Sequence, residues 1–294
     1  MKNNIFSVID LGTNNIQLLV TEGRKNPKII VKDSQISALG KNFKNGLIDT
    51  EKLEKAKLIL EKFIDLSQKY TNKIVVIGTS LSRTAKNISV ISDWLEERDI
   101  PFYIISGDEE AYLNGLANTD DFKEFTNILF FDIGGGSTEF TLVQNGKIIK
   151  KFSLKLGIRR LENMFCNYLQ KEEYTQKILK KIDLPNKNFT LIGIGGTVTS
   201  LSFINQNLVE YNFEKIHKSA LQKAEVKEIL DKFLTVHIAD LKNSLILKML
   251  KPDILATGTM IVYEILDYFA RDKFLVSDKG LMFGVLKDKK YFSG

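Results

Sequence analysis

Apolar positions at the start of the chain alternate with turn residues in a repeated rhythm. Ile5 to Asp10 reads as a buried strand, Gly12 to Asn15 as a turn, and Ile16 to Thr21 as a second strand. After a break at Gly23 to Pro27, Ile29 to Ser37 is a third strand, so the opening predicts a β-meander. The period then changes. Leu53, Leu60, Phe63 and Ile64 recur at helical spacing between Leu47 and Tyr70, with Asp49 or Thr50 as the cap, and Ile74 to Ile77 follows as a short buried strand. A helix over Asn87 to Arg98, a strand over Phe102 to Ile105 and a helix over Gly107 to Asn118, with Asp108, Glu109 and Glu110 in its first turn, complete a first lobe.

At Ile128 the order restarts. Strands are predicted over Ile128 to Asp132, Thr138 to Gln144 and Lys147 to Leu154, the last two joined by an Asn145-Gly146 hairpin turn. Helices around Arg159 to Leu169 and Glu172 to Lys181 precede a strand over Thr190 to Ile194, a Gly195-Gly196 turn and a helix from Thr199. The remainder reads as mostly helical, with a strand at Ile254 to Ala256 and a closing helix near Gly280 to Lys287. Repetition of one unit at Asp10 and at Asp132 predicts two similar lobes whose matched turns face each other across a cleft. The boundary falls between Leu116 and Thr126, where Asn118 to Lys123 is short and polar enough to be a hinge. Domains 1–118 and 119–294 are expected, the last helix being free to pack back on the first.

Composition sets outer limits. With 294 residues, 44% of them hydrophobic and 27% charged, the chain suits two ordinary globular domains. A formal charge of +6 favours anionic partners without naming one. No apolar run approaches the roughly 18 residues of a membrane span, and MKNNIFSVIDLG lacks a signal-peptide cleavage pattern, so a cytoplasmic protein without a membrane partner is expected. The single Cys166 cannot form an internal disulfide, and His217 and His237 lie far from it without ligand or triad spacing. Both histidines read as structural, and any metal must be held by oxygen.

The chemistry concentrates in three glycine-containing strings. In FFDIGGGSTEF, Phe130 to Phe140, the consecutive Gly134, Gly135 and Gly136 free their amides to wrap an anion, and Ser137 and Thr138 add hydroxyl donors. Asp132 and Glu139 bracket that nest with carboxylates, an arrangement suited to phosphate plus Mg²⁺ and wasteful in a plain hairpin. VIDLGTNNIQLLV, Val8 to Val20, repeats the logic through Asp10, Gly12, Thr13, Asn14 and Asn15; alone it is weak, paired it is strong. LIGIGGTVTSLS, Leu191 to Ser202, places Gly195, Gly196 and Thr197 at a helix start, which suits either a phosphate or nucleotide or a closely packed turn.

These three strings resemble the actin, sugar kinase and Hsp70 superfamily. Within it, GTSLSRTAKN (Gly78 to Asn87), ISGDEEAYL (Ile105 to Leu113), FFDIGGGSTEF, LGIRRLENMF (Leu156 to Phe165) and IGGTVTSLS together resemble the exopolyphosphatase/guanosine pentaphosphate phosphatase family over almost the whole chain. The resemblance implies the short form of that family. It also implies two actin-like (ribonuclease H-like) α/β domains with mixed five-stranded sheets flanked by helices, and an active site in the interdomain cleft. Two departures stand out: Asn163 where a glutamate is common, and Met282 where an arginine is usual.

The resemblance also assigns roles. Taken alone, Arg83 suits either a phosphate in the cleft or plain solvent, and Glu109 and Glu110 suit either catalysis or the helix dipole. By resemblance Glu110 is the catalytic base and Glu139 the family's other essential glutamate. Hydrolysis of a phosphoanhydride needs an in-line water, a carboxylate to deprotonate it and cations to absorb charge. Glu110 would be the base, Arg83 with the amides near Gly134 to Ser137 would stabilise the phosphoryl group, and Asp10, Asp132 and Glu139 would hold Mg²⁺, with Mn²⁺ as an alternative and a monovalent cation as an addition. Inorganic polyphosphate or guanosine pentaphosphate (pppGpp) is the implied substrate; DNA and RNA are not expected partners, and a homodimer is compatible with the family.

Lysine-rich stretches at Lys147 to Lys155, Lys171 to Lys187 and Lys287 to Lys290 fit either guidance of a polyanion or ordinary solvated faces. Three other functions compete: an ATP-dependent kinase of the same superfamily, a non-catalytic polyphosphate or pppGpp sensor, and an actin-like filament protein. No inserted substrate domain is recognisable for the first, and the intact Arg83, Glu110 and Glu139 weigh against the second.

Overall fold

The computed structural model describes residues 4–185, 188–235 and 252–292. The chain divides into two compact units, Met1–Ala117 with Leu281–Gly294, and Asn118–Gly280.

In the first unit, β1 (Ile5–Leu11), β2 (Asn15–Glu22) and β3 (Lys28–Ile36) form the antiparallel meander. Helix α1 (Thr50–Gln68) then carries the chain to β4 (Ile74–Gly78), which pairs parallel with β1. The Asp49 side chain caps α1 by accepting from the Glu51 amide at 2.9 Å. The apolar stripe Leu53, Leu60, Phe63 and Ile64 enters one cluster with Ile9, Leu11 and Leu18 of the sheet. Two short helices follow, α2 (Ser80–Thr84) and α3 (Ser89–Glu96), then β5 (Phe102–Ile104) and α4 (Gly107–Asn118). The sheet order is β3-β2-β1-β4-β5. Thr79 is the N-cap position of α2, and Arg83 sits in the last turn of that short helix.

The second unit repeats the plan with β6 (Asn127–Ile133), β7 (Thr138–Gln144) and β8 (Lys147–Leu154), again an antiparallel meander. Asn145 at φ 49° and Gly146 at φ 73° make the tight hairpin that an Asn-Gly pair favours. Helices α5 (Ile158–Met164) and α6 (Tyr168–Leu179) lead to β9 (Thr190–Ile194), parallel to β6, and to α7 (Gly196–Asn205). Then come α8 (Phe213–Ile216), β10 (Ala220–Gln222), α9 (Lys223–Thr235), α10 (Pro252–Tyr268) and β11 (Lys273–Ser277). This sheet has six strands in the order β10-β11-β9-β6-β7-β8, one more than expected, because the three-residue β10 is too short to show a period.

The strand expected at Ile254 to Ala256 is instead part of α10, and the real strand is Lys273–Ser277. Buried Leu255, Met260, Ile261, Val262, Ile265 and Leu266 give α10 an apolar surface on several sides, which blurs the helical period. Its length is what identifies it as a helix. The closing helix α11 (Leu281–Lys287) belongs to the first unit, where Leu281, Met282 and Val285 join Phe6, Val8, Val75 and Ile77 on the sheet face opposite α1. Gly284 permits this packing, since a Cβ there would lie 2.1 Å from Leu113 O. Met282 therefore fills apolar core where the family usually has arginine. Among the described residues no helix is long and apolar enough to cross a membrane.

The internal repeat reaches single residues. β1 and β6 share one burial sequence, and Asp10 and Asp132 each sit half-buried one residue before the strand ends.

Candidate functional site

Each meander closes its first turn in the same way. The Gly12 amide donates to Asn15 O at 3.1 Å, and the Gly134 amide to Ser137 O at 2.9 Å. In the first unit the carbonyls of the turn are taken by the chain beyond β3: Ser37 N and Ala38 N donate to Asn14 O, and Gly40 N to Thr13 O. Asn14 Nδ2 donates to Asn15 Oδ1 at 2.8 Å, and Thr13 is buried.

In the second unit the anchoring is more regular. Ile158 N donates to Gly134 O at 3.1 Å, Arg160 N to Gly135 O at 3.0 Å, and Arg160 Nε to Gly136 O at 2.8 Å. In a planar trans peptide the N–H points opposite to the C=O. Anchoring three successive carbonyls on the start of α5 therefore turns the amides of Gly135, Gly136 and Ser137 the other way. Among the described residues these amides have no backbone acceptor. Such a row of N–H groups is an anion cradle.

Asp132 and Glu139 are direct partners across the β6–β7 hairpin and so project to the same face. Glu139 is only 2% exposed, and Ser153, its register partner on β8, donates to Glu139 Oε1 at 2.7 Å. Gly195 completes this corner. Its φ of +89° is glycine territory, and a Cβ would lie 2.5 Å from Asp132 Oδ1. Gly196 and Thr197 begin α7, where the hydroxyls of Thr199 and Ser200 bond back to the carbonyls of Gly195 and Gly196. Thr138 is committed differently from the expectation that it binds phosphate: its hydroxyl donates to Leu156 O at 2.6 Å in a fully buried position.

The carboxylates Asp132 and Glu139, with Asp10 at the equivalent position of the first unit, are hard oxygen donors. Among the described residues no group of three or more His, Cys, Asp or Glu side chains forms a protein-only metal cage. Hard oxygen donors of this kind suit Mg²⁺, which keeps several waters and takes one or two carboxylates plus substrate phosphates.

In the first unit a buried carboxylate is paired with an arginine. Arg83 Nη1 donates to Glu110 Oε2 at 2.9 Å and to Ile105 O at 2.8 Å, which fixes the guanidinium between the end of β5 and the first turn of α4. Glu110 is 8% exposed. Burial raises its pKa above the usual carboxylate range, and the charge and hydrogen bond of Arg83 offset only part of that rise. Glu109 has a different fate. Its Oε1 accepts from Tyr291 OH at 2.7 Å and pairs with Lys290, so it ties the C-terminal segment to α4.

Two contributors were absent from the expected site. Ser153 is visible only once the β7–β8 register pairs it with Glu139, and Arg160 lies inside LGIRRLENMF without any spacing that signals a contact to the glycine loop. His217 is structural: Nε2 lies 3.2 Å from Asp121, and the ring stacks on Phe213 at 4.9 Å. His237 lies outside the described residues.

The sequence model of the Ppx/GppA phosphatase family matches residues 19–291. The chain is 35% identical over 312 residues to a bifunctional 3-dehydroquinate synthase/phosphatase from Fusobacterium nucleatum, covering 97% of this chain and 46% of that protein. It thus spans about half the length of that relative. Exopolyphosphatase 2 of Mycobacterium tuberculosis is 22% identical over 287 residues, with 88% of this chain and 89% of that protein covered. Among solved structures, the Aquifex aeolicus Ppx/GppA enzyme superposes with a TM-score of 0.79 at 26% identity, covering 96% of this chain and 99% of that one. An exopolyphosphatase from Cytophaga hutchinsonii shares the fold with a TM-score of 0.85 at 24% identity, covering 98% and 97%. With the family's sequence pattern running over nearly its whole described length, the chain belongs to the Ppx/GppA phosphatase family.

Proposed function

We propose that the chain hydrolyses the terminal phosphoanhydride of a linear polyphosphate, releasing orthophosphate, or the equivalent bond of guanosine pentaphosphate to give ppGpp. Membership of the family and likeness to an exopolyphosphatase support the reaction class. The observation that carries it is the Arg83–Glu110 pair: a buried carboxylate with a raised pKa, oriented by a guanidinium at 2.9 Å. A carboxylate of raised pKa is a stronger base near neutral pH than an ordinary one.

In this reading Glu110 takes a proton from the attacking water as its oxygen bonds to the terminal phosphorus, and the bridging oxygen leaves with the shortened chain. Arg83 and the amides of Gly135, Gly136 and Ser137 stabilise charge on the transferred phosphoryl group. Asn14, Asn15 and Thr13 of the first turn, and the start of α7 at Gly195 to Thr197, bind further phosphate oxygens. Asp132 and Glu139, with Asp10, would hold a divalent cation, Mg²⁺ or Mn²⁺, which would supply charge neutralisation of the phosphates.

The 35% identity to a protein named partly as a phosphatase supports phosphate release without specifying the substrate, so a phosphomonoester is kept as a second candidate substrate. One assay separates the two. Phosphate release is measured from polyphosphate, guanosine pentaphosphate and a simple phosphomonoester at matched concentration with Mg²⁺. Release from either anhydride substrate supports the first reading, and release from the monoester alone supports the second.

A further inference from the structure

Besides the Gly134 N–Ser137 O bond that closes it, the glycine loop is held from outside. Its three carbonyls are gripped from one side, by Ile158 N, Arg160 N and Arg160 Nε, and the last of these is the only side-chain contact among them. The same side is closed by Gly157. A Cβ on Gly157 would lie 2.4 Å from Gly136 C, 2.5 Å from Ser137 N and 2.6 Å from Gly136 N, so the bare backbone of residue 157 lies flush against the Gly136–Ser137 peptide. Gly157 is buried, and its φ of −154° is open to any residue, so its small size is required by contact rather than by backbone conformation.

We infer that Arg160 is a positioning residue for the reaction, acting with Gly157: by holding Gly136 O it fixes the plane of the Gly136–Ser137 peptide, so that the Ser137 N–H faces the phosphoryl group. The inference rests on the reading that this loop holds the transferred phosphate. A peptide plane gripped at its carbonyl cannot swing its N–H away, whereas a loop of three glycines released from that grip has several orientations open to it. An oxyanion donor contributes most when it is aligned before charge develops, and a small misplacement forfeits much of that contribution.

Neighbouring residues are committed elsewhere, which isolates the role. Glu162, two residues further along α5, pairs with Lys171 at 2.6 Å and with the Thr257 hydroxyl. Arg160 is half-buried, and its Nε reaches past the helix start to the loop.

The test uses three variants of the full chain. Arg160→Met keeps the stem and removes the donor, Arg160→Lys restores a single donor, and Gly157→Ala drives a methyl into the same peptide without changing charge. We expect Arg160→Met to lower kcat by about 10 to 100-fold with little change in KM, Arg160→Lys to recover part of the loss, and Gly157→Ala to reproduce the Met signature. The second readout is the ¹H–¹⁵N resonances of Gly135, Gly136 and Ser137, which should move in Arg160→Met even without substrate. Wild-type kcat in Arg160→Met, or a rise in KM alone with unmoved loop amides, overturns the inference. A wild-type chain that releases no phosphate from any anhydride defeats the functional reading instead, and the amide resonances still report on the grip.

Discussion

Arg83 and Glu110 are 27 residues apart in sequence, yet Nη1 of one lies 2.9 Å from Oε2 of the other. The neighbouring Glu109 points elsewhere and is bound by Lys290 and Tyr291. Two adjacent acids in the first turn of one helix thus have separate tasks. One is a buried carboxylate with a raised pKa beside a guanidinium, the other a tether for the C-terminal segment.

The pH profile follows from this separation. Because burial raises the pKa of Glu110, a base role for this residue predicts that activity is lost, as pH falls, at a pH above the ordinary carboxylate range. Arg83 lowers that pKa, so Arg83→Met should shift the acid limb of kcat/KM further upward while reducing its plateau. Rate measurements across pH on both proteins check the direction. An acid limb that moves downward would contradict the assignment.

Glu109→Gln should behave as a stability variant. Losing the charged partner of Lys290, while keeping an acceptor for Tyr291, should cost about 0.5–1 kcal/mol and leave kcat within about twofold of wild type. Urea unfolding beside steady-state kinetics separates the two effects.

Gly195→Ala tests the corner at Asp132. The positive φ and the 2.5 Å approach to Asp132 Oδ1 mean that a methyl must strain the backbone and displace the carboxylate. The backbone strain alone should cost about 1–3 kcal/mol. The concentration of Mg²⁺ needed for half-maximal activity should rise, and an unchanged requirement would remove Asp132 from the metal's ligands.

Much of the repeat was legible because glycine turns and strand periods are local. Asp10 and Asp132 at matched strand ends, the Asn145-Gly146 hairpin, the Asp49 cap and the helix from Gly107 all follow from neighbouring residues. Local reading failed where burial erased the period, as in α10, whose apolar residues near Ile254 resemble a strand. It also failed where a contact depends on register or tertiary approach. Ser153 reaches Glu139 through β7–β8 pairing, and Arg160 reaches Gly136 O across 24 residues of sequence. The choice of Glu110 over Glu109 came from the family resemblance; their contacts differ, Glu110 meeting Arg83 and Glu109 meeting Lys290 and Tyr291.

The central claim is that Glu110 is the base of phosphoanhydride hydrolysis. Its most direct test is Glu110→Gln, which keeps the shape and removes the base, assayed for phosphate release and substrate binding with Mg²⁺ present. A fall in kcat of about 10² to 10⁴-fold, with binding of polyphosphate or guanosine pentaphosphate retained, is predicted. Wild-type turnover by Glu110→Gln would contradict the claim.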